Sequence, residues 1–116
     1  MKINSAYELF IIIYLLLNSL NEKISNKNLS DFLDDADPYI WDGENSADPA
    51  CYLDFKSKFE KNSDDKEYYY DFVCNYLKNI EYYKNLYDLF TSNYTKEDYI
   101  NTCKLILNNK EEYLKK

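Results

Sequence analysis

The only Gly of this chain, both of its Pro and its only Trp fall within residues 34–55, DDADPYIWDGENSADPACYLDF. Gly and Pro are the residues that end helices and turn hairpins, so a chain that confines them to one place has little means of turning tightly elsewhere. No segment alternates apolar and polar residues as a half-buried strand does, whereas apolar residues recur at helical spacing over most of the length. The expected fold is all-α: a compact single-domain bundle of five or six short helices, interrupted by one structured Pro/Asp-rich loop. At 116 residues such a domain buries roughly two-thirds of its unfolded surface and needs no staples.

The first helix is expected over 6–22. Ser5 and Glu8 open it as a capping box, and its apolar positions wrap most of the way round, which marks a central helix. Ser25 is the expected cap of a second helix ending near Asp34, with Leu29, Phe32 and Leu33 inward. Asp48-Pro49 reads as an N-cap followed by Pro in the first helical position, opening a helix over 49–61 that buries Tyr52, Phe55 and Phe59. Residues 62–65 form a polar break, with Asp64 or Asp65 as the next cap. Beyond it Phe72, Val73, Tyr76, Leu77 and Ile80, then Tyr83, Leu86, Tyr87 and Phe90, follow helical spacing. Typical helix lengths favour two helices joined near Asn79 over one kinked helix. Thr95 and Asp98 cap a last helix that buries Tyr99, Cys103, Ile106 and Leu107, and the charged tail from Lys110 is expected to fray.

Charge narrows the function. The formal net charge is -7, and the sequence holds neither Arg nor His. Without Arg there is no bidentate fork for phosphate or guanine, and a negative field repels a nucleic-acid backbone, so direct nucleic-acid binding is not expected. Without His the near-neutral proton shuttle and the commonest transition-metal ligand are missing. Cys51, Cys74 and Cys103 make no C-x-x-C pair and an odd count, which reads as reduced thiols in a cytoplasmic protein. The apolar run 9–17 is less than half of the about 20 residues that span a bilayer, and no cleavage site follows it, so no membrane association is expected.

The loop gathers Asp34, Asp35, Asp37, Asp42, Glu44 and Asp48 around Tyr39 and Trp41. Their spacing does not follow the EF-hand order. A solitary enzyme or metal protein using these carboxylates is the least favoured reading, and no cofactor or metal is expected. A second reading is architectural: Asp48 caps a helix, Asp37 closes an Asx turn before Pro38, and Trp41 folds over the end of helix 1 as an anchor. The third, compatible with the second, is an interface: aromatic anchors within a ring of carboxylates suit a basic partner. Tyr68, Tyr69 and Tyr70, beside the acids of 64–71, extend this surface, since three successive residues on a helix cannot all face inward. An AT-rich coding bias is the favoured account of the bulk of the 14 Tyr, though not of where they cluster.

Two stretches carry a resemblance. The segment DADPYIWDGENSADPACYLDF resembles the D-x-x-P-F/Y-x-W…SADP-A-x-W/Y-x-D/E-F signature of small bacterial immunity proteins of contact-dependent inhibition and other polymorphic toxin systems. The closing YTKEDYINTCKLIL is similar to that family's final Y-x-x-E-x-Y helix. The resemblance implies a helical, cytoplasmic, non-catalytic protein that neutralises a cognate toxin C-terminal domain, commonly a basic nuclease. It implies that Asp37, Pro38, Tyr39, Trp41, Ser46, Asp48, Pro49, Tyr52 and Asp54 form a signature near the binding surface. The alternative from the residues is another protein-interaction inhibitor, such as a phage-encoded nucleic-acid mimic. The candidate partner-binding residues are Asp34, Asp35, Asp37, Tyr39, Trp41, Asp42, Glu44, Asp48, Tyr52, Tyr68 and Tyr69.

Overall fold

The computed structural model of the protein describes residues 2–62 and 66–114. Within them lie seven α-helices and no strand: α1 Ala6–Asn21, α2 Lys27–Ala36, α3 Pro49–Glu60, α4 Tyr70–Asn79, α5 Leu86–Asn93, α6 Lys96–Asn108 and α7 Lys110–Tyr113. The count exceeds the expected five or six because the tail from Lys110 is helical. It does not fray there, since the Lys110 ammonium lies 3.3 Å from the Glu8 carboxylate and the Tyr39 hydroxyl donates to the Tyr113 carbonyl at 2.8 Å.

Helix α1 is the hub and packs against α2, α3 and α6. Tyr7, Leu9, Phe10, Ile11, Ile12, Ile13, Leu16, Leu17 and Leu20 are all buried, and each large apolar side chain contributes about 1.5–3 kcal/mol on leaving water. Ser5 Oγ accepts from the Glu8 amide at 3.2 Å, as the sequence predicts. The return half differs: Glu8 Oε1 accepts from the Asn4 amide at 2.8 Å, one residue before the cap. Helix α2 starts one residue later than expected and is capped by Asn26, whose Oδ1 accepts from the Leu29 amide at 3.1 Å. Asn is at least as good an N-cap as Ser, and this start leaves Leu29, Phe32, Leu33 and Ala36 on one buried stripe. In α6 the box closes both ways, Asp98 N to Thr95 Oγ1 at 3.0 Å and Thr95 N to Asp98 Oδ2 at 2.9 Å. Its inward residues are Tyr99, Cys103, Ile106 and Leu107.

Helices α4 and α5 are separate, as the lengths suggested. Ile80 leaves the helix in extended geometry, and Asn85 enters α5 at φ 71°. The connection is fastened to α2 by the Lys84 amide on Asn28 Oδ1 at 3.1 Å and by the Tyr83 ring, which meets Phe32 edge-on at 5.3 Å. Phe59, Phe72, Ile80, Tyr83 and Tyr87 are only partly buried, packed against the core margin. The break at 62–65 and its Asp64 or Asp65 cap extend outside the described residues.

Before α4 the backbone does something the sequence gives no warning of. Glu67, Tyr68 and Tyr69 have φ of 51°, 60° and 63° in succession. Left-handed geometry costs a non-Gly residue about 1–2 kcal/mol. The Tyr99 hydroxyl, donating to the Tyr68 carbonyl at 2.7 Å, helps to hold the turn in place.

Candidate partner-binding surface

The loop between α2 and α3 is built on local chemistry. The Asp37 carboxylate accepts from the Tyr39 amide at 2.9 Å, an Asx turn that Pro38 rigidifies. The two ends then close on each other: the Ala47 amide donates to the Asp37 carbonyl, and the Asp48 amide to the Asp35 carbonyl, both at 2.9 Å. Gly43 turns the tip at φ 84° with open space where a Cβ would stand, so it is kept by its backbone angle and not by crowding. Asp48 caps α3 through the Ala50 amide at 3.1 Å, with Pro49 following.

Ser46 joins loop to helix. It is fully buried, and its hydroxyl donates to the Asp48 carbonyl at 2.6 Å while accepting from the Tyr52 amide at 2.9 Å. The body of the loop is further held by the Tyr7 hydroxyl, which donates to the Pro38 carbonyl at 3.1 Å, and by the Tyr39 ring, 6.0 Å from that of Tyr14. Tyr39 thus takes the anchoring role expected of Trp41. Trp41 instead lies along its own loop, with its indole N–H donating to the Ala47 carbonyl at 3.3 Å. It is 51% exposed and its neighbour Ile40 58%.

The expected site residues fall into separate places. Trp41, Asp42 and Glu44 are exposed in the loop, and Glu44 lines a pocket with Tyr7, Glu8 and Lys110 near the start of α1. Asp34, Asp35 and Asp48 line a groove with Asp31, Tyr82 and Tyr83, where the Tyr83 hydroxyl donates to Asp35. Asp37 is used within its turn. Tyr52 does not belong to the surface: it is 2% exposed, its ring meeting those of Tyr7 at 5.5 Å and Phe10 at 5.2 Å. Its helical register, which faces it inward, outweighs its place in the signature. Tyr68 and Tyr69 are partly buried at the left-handed turn, Tyr69 against Phe59 at 5.0 Å, and they line neither the acidic groove nor the tip.

Sequence reasoning missed Tyr82, the most exposed large aromatic at 83%. The signal was available: if Tyr83 faces inward, its neighbour in the chain points away from the core. Asp31 was missed as well; it shares the groove, paired to Lys27 at 3.0 Å.

No family model, curated protein or solved structure matches this chain.

Electrostatics and titration set what the surface can do. Asp34 and Asp35 sit in the last turn of α2, which has no basic residue, so they add to the negative end of the helix dipole. Burial first, then the surrounding phenols and Asp37, pushes Tyr39 up to about 12, and burial with the Asp35 hydrogen bond raises Tyr83. These phenols are neutral donors at ordinary pH. Burial, followed by Asp35, Asp48 and Asp54, pushes the Cys51 thiol up to about 12, which leaves it a thiol and a poor nucleophile. Among the described residues no group of three or more Cys, Asp or Glu side chains is placed to hold a metal ion, and no helix is long and apolar enough to cross a membrane. The arrangement is suited to contact: exposed Ile40 and Trp41, carboxylates nearby, and a hydrogen-bonded loop base.

Proposed function

We propose that this protein is a non-enzymatic, immunity-type inhibitor that binds a basic toxin domain, of the nuclease kind, through the tip of the α2–α3 loop. The observation that carries the reading is the exposed pair Ile40 and Trp41, held on a hydrogen-bonded loop and followed by exposed Asp42 and Glu44. An exposed aromatic on an ordered backbone needs little further ordering on binding, which is what a central anchor requires. Carboxylates around it accelerate encounter with a cationic surface. A basic nuclease surface is itself built to meet a polyanion, so an acidic inhibitor can occupy it.

The second reading, a nucleic-acid mimic acting on a host or phage enzyme, draws on the groove where Asp31, Asp34, Asp35 and Asp48 stand together. The deciding experiment is calorimetry against the product of the adjacent upstream gene at low and high salt. Tight one-to-one binding that weakens with salt supports the immunity reading. Absence of binding to that product discards the cognate pair and leaves the mimic reading to be tried against nucleases.

A further inference from the structure

Three successive non-Gly residues in left-handed geometry stand immediately before a helix that has no side-chain cap. Ordinary L-residues visit this region singly, as isolated turns. The same stretch, Lys66–Tyr69, is compatible in sequence with helix: continued backwards in right-handed geometry, α4 would gain a turn and place Glu67 near its N-terminus, where the dipole favours a carboxylate. What opposes this is a set of ties to neighbouring helices. The Tyr99 hydroxyl, on a fully buried residue of α6, donates to the Tyr68 carbonyl at 2.7 Å. From the same helix the Lys96 ammonium pairs with Glu67 at 2.6 Å and lies 5.7 Å from the centre of the Tyr70 ring. The Tyr69 ring packs against Phe59 of α3 at 5.0 Å.

We propose that Lys66–Tyr69 is a two-state segment, held left-handed by the Tyr99 hydroxyl and passing to a right-handed extension of α4 when that bond opens. The change re-aims Tyr68 and Tyr69, because reversing the hand reverses the sense of the about 100° rotation between successive side chains. It also lifts the Tyr68 carbonyl off α6. The direction of two adjacent aromatics is thereby coupled to the seating of α6 beneath them.

Backbone carbon shifts and amide-to-Hα couplings at 67–69 test this. The wild type shows left-handed values. Tyr99→Phe, which deletes only the hydroxyl, moves them to right-handed helical values. Glu67→Gly with Tyr68→Gly, placed in the Tyr99→Phe background, returns them, since each Gly favours the left-handed state by about tenfold over the residue it replaces. Left-handed values retained in Tyr99→Phe overturn the proposal, as does failure of the Gly pair to restore them. Should Tyr99→Phe not fold, Lys96→Met at the half-exposed ion pair carries the same readout. A shift of about threefold in population toward right-handed geometry is then expected, and no shift overturns the proposal.

Discussion

The hydroxyl of Tyr7, in the first turn of α1, donates to the carbonyl of Pro38, 31 positions further along the chain, at 3.1 Å. One buried phenol thus ties the hub helix to the base of the acidic loop. Removing it in Tyr7→Phe keeps the ring against Tyr52 but strands a carbonyl, so about 1–3 kcal/mol of stability is expected to go, with helical content unchanged. Urea unfolding gives the loss, and limited proteolysis should show earlier cutting within 39–45.

Ser46→Ala removes both bonds that the buried hydroxyl makes, to the Asp48 carbonyl and from the Tyr52 amide. A loss of about 1–3 kcal/mol is expected, with faster amide exchange at Tyr52. Stability within about 0.5 kcal/mol of wild type, the usual range for a surface change, would show that water replaces the hydroxyl.

Asp42→Lys with Glu44→Lys changes exposed side chains at the tip. Stability should stay within about 0.5 kcal/mol, while association with a basic partner slows and its salt dependence flattens. Stopped-flow association at two ionic strengths separates this from a loss of fold.

Glu67→Gly should stabilise. It relieves left-handed strain of about 1–2 kcal/mol and gives up only a solvent-exposed ion pair, so a net gain is expected. A fall in the urea midpoint would mean that residue 67 is not left-handed in solution.

Alkaline pH should unfold the protein before neutral pH does. Burial pushes the Cys103 thiol from 9.0 up to about 12, and Cys51 likewise. The folded state keeps these protons when the unfolded chain loses them, so their contribution is complete below 9.0 and declines as pH climbs toward about 12. The urea midpoint should be level on the neutral side and fall above that value, less steeply in Cys103→Ala.

Helices α1, α3 and α6 were legible because cap and period agree in each, with Phe59 of α3 the inward position left only partly buried: Ser5, Asp48 and Thr95 do in space what their side chains suggest. The loop was legible as a loop, with Asp37 and Asp48 in the expected roles. What escaped depends on partners far along the chain. Nothing near Tyr39 announces that its hydroxyl will meet Tyr113 and displace Trp41 from the anchoring role. Left-handed geometry at 67–69 escaped because no Gly marks it, and a buried Tyr99 is among its supports. Tyr52 shows the opposite case, a register that states burial correctly and a motif position that suggests exposure.

The two bonds that close the base of the α2–α3 loop, Ala47 on Asp37 and Asp48 on Asp35, make the tip a separable module. Between Tyr39 and Asn45 the bond from the Trp41 indole to the Ala47 carbonyl reaches that junction, so a tip that keeps Trp41 can change elsewhere without re-threading either helix. A bundle of this design is a mount on which the rest of the loop tip can be exchanged.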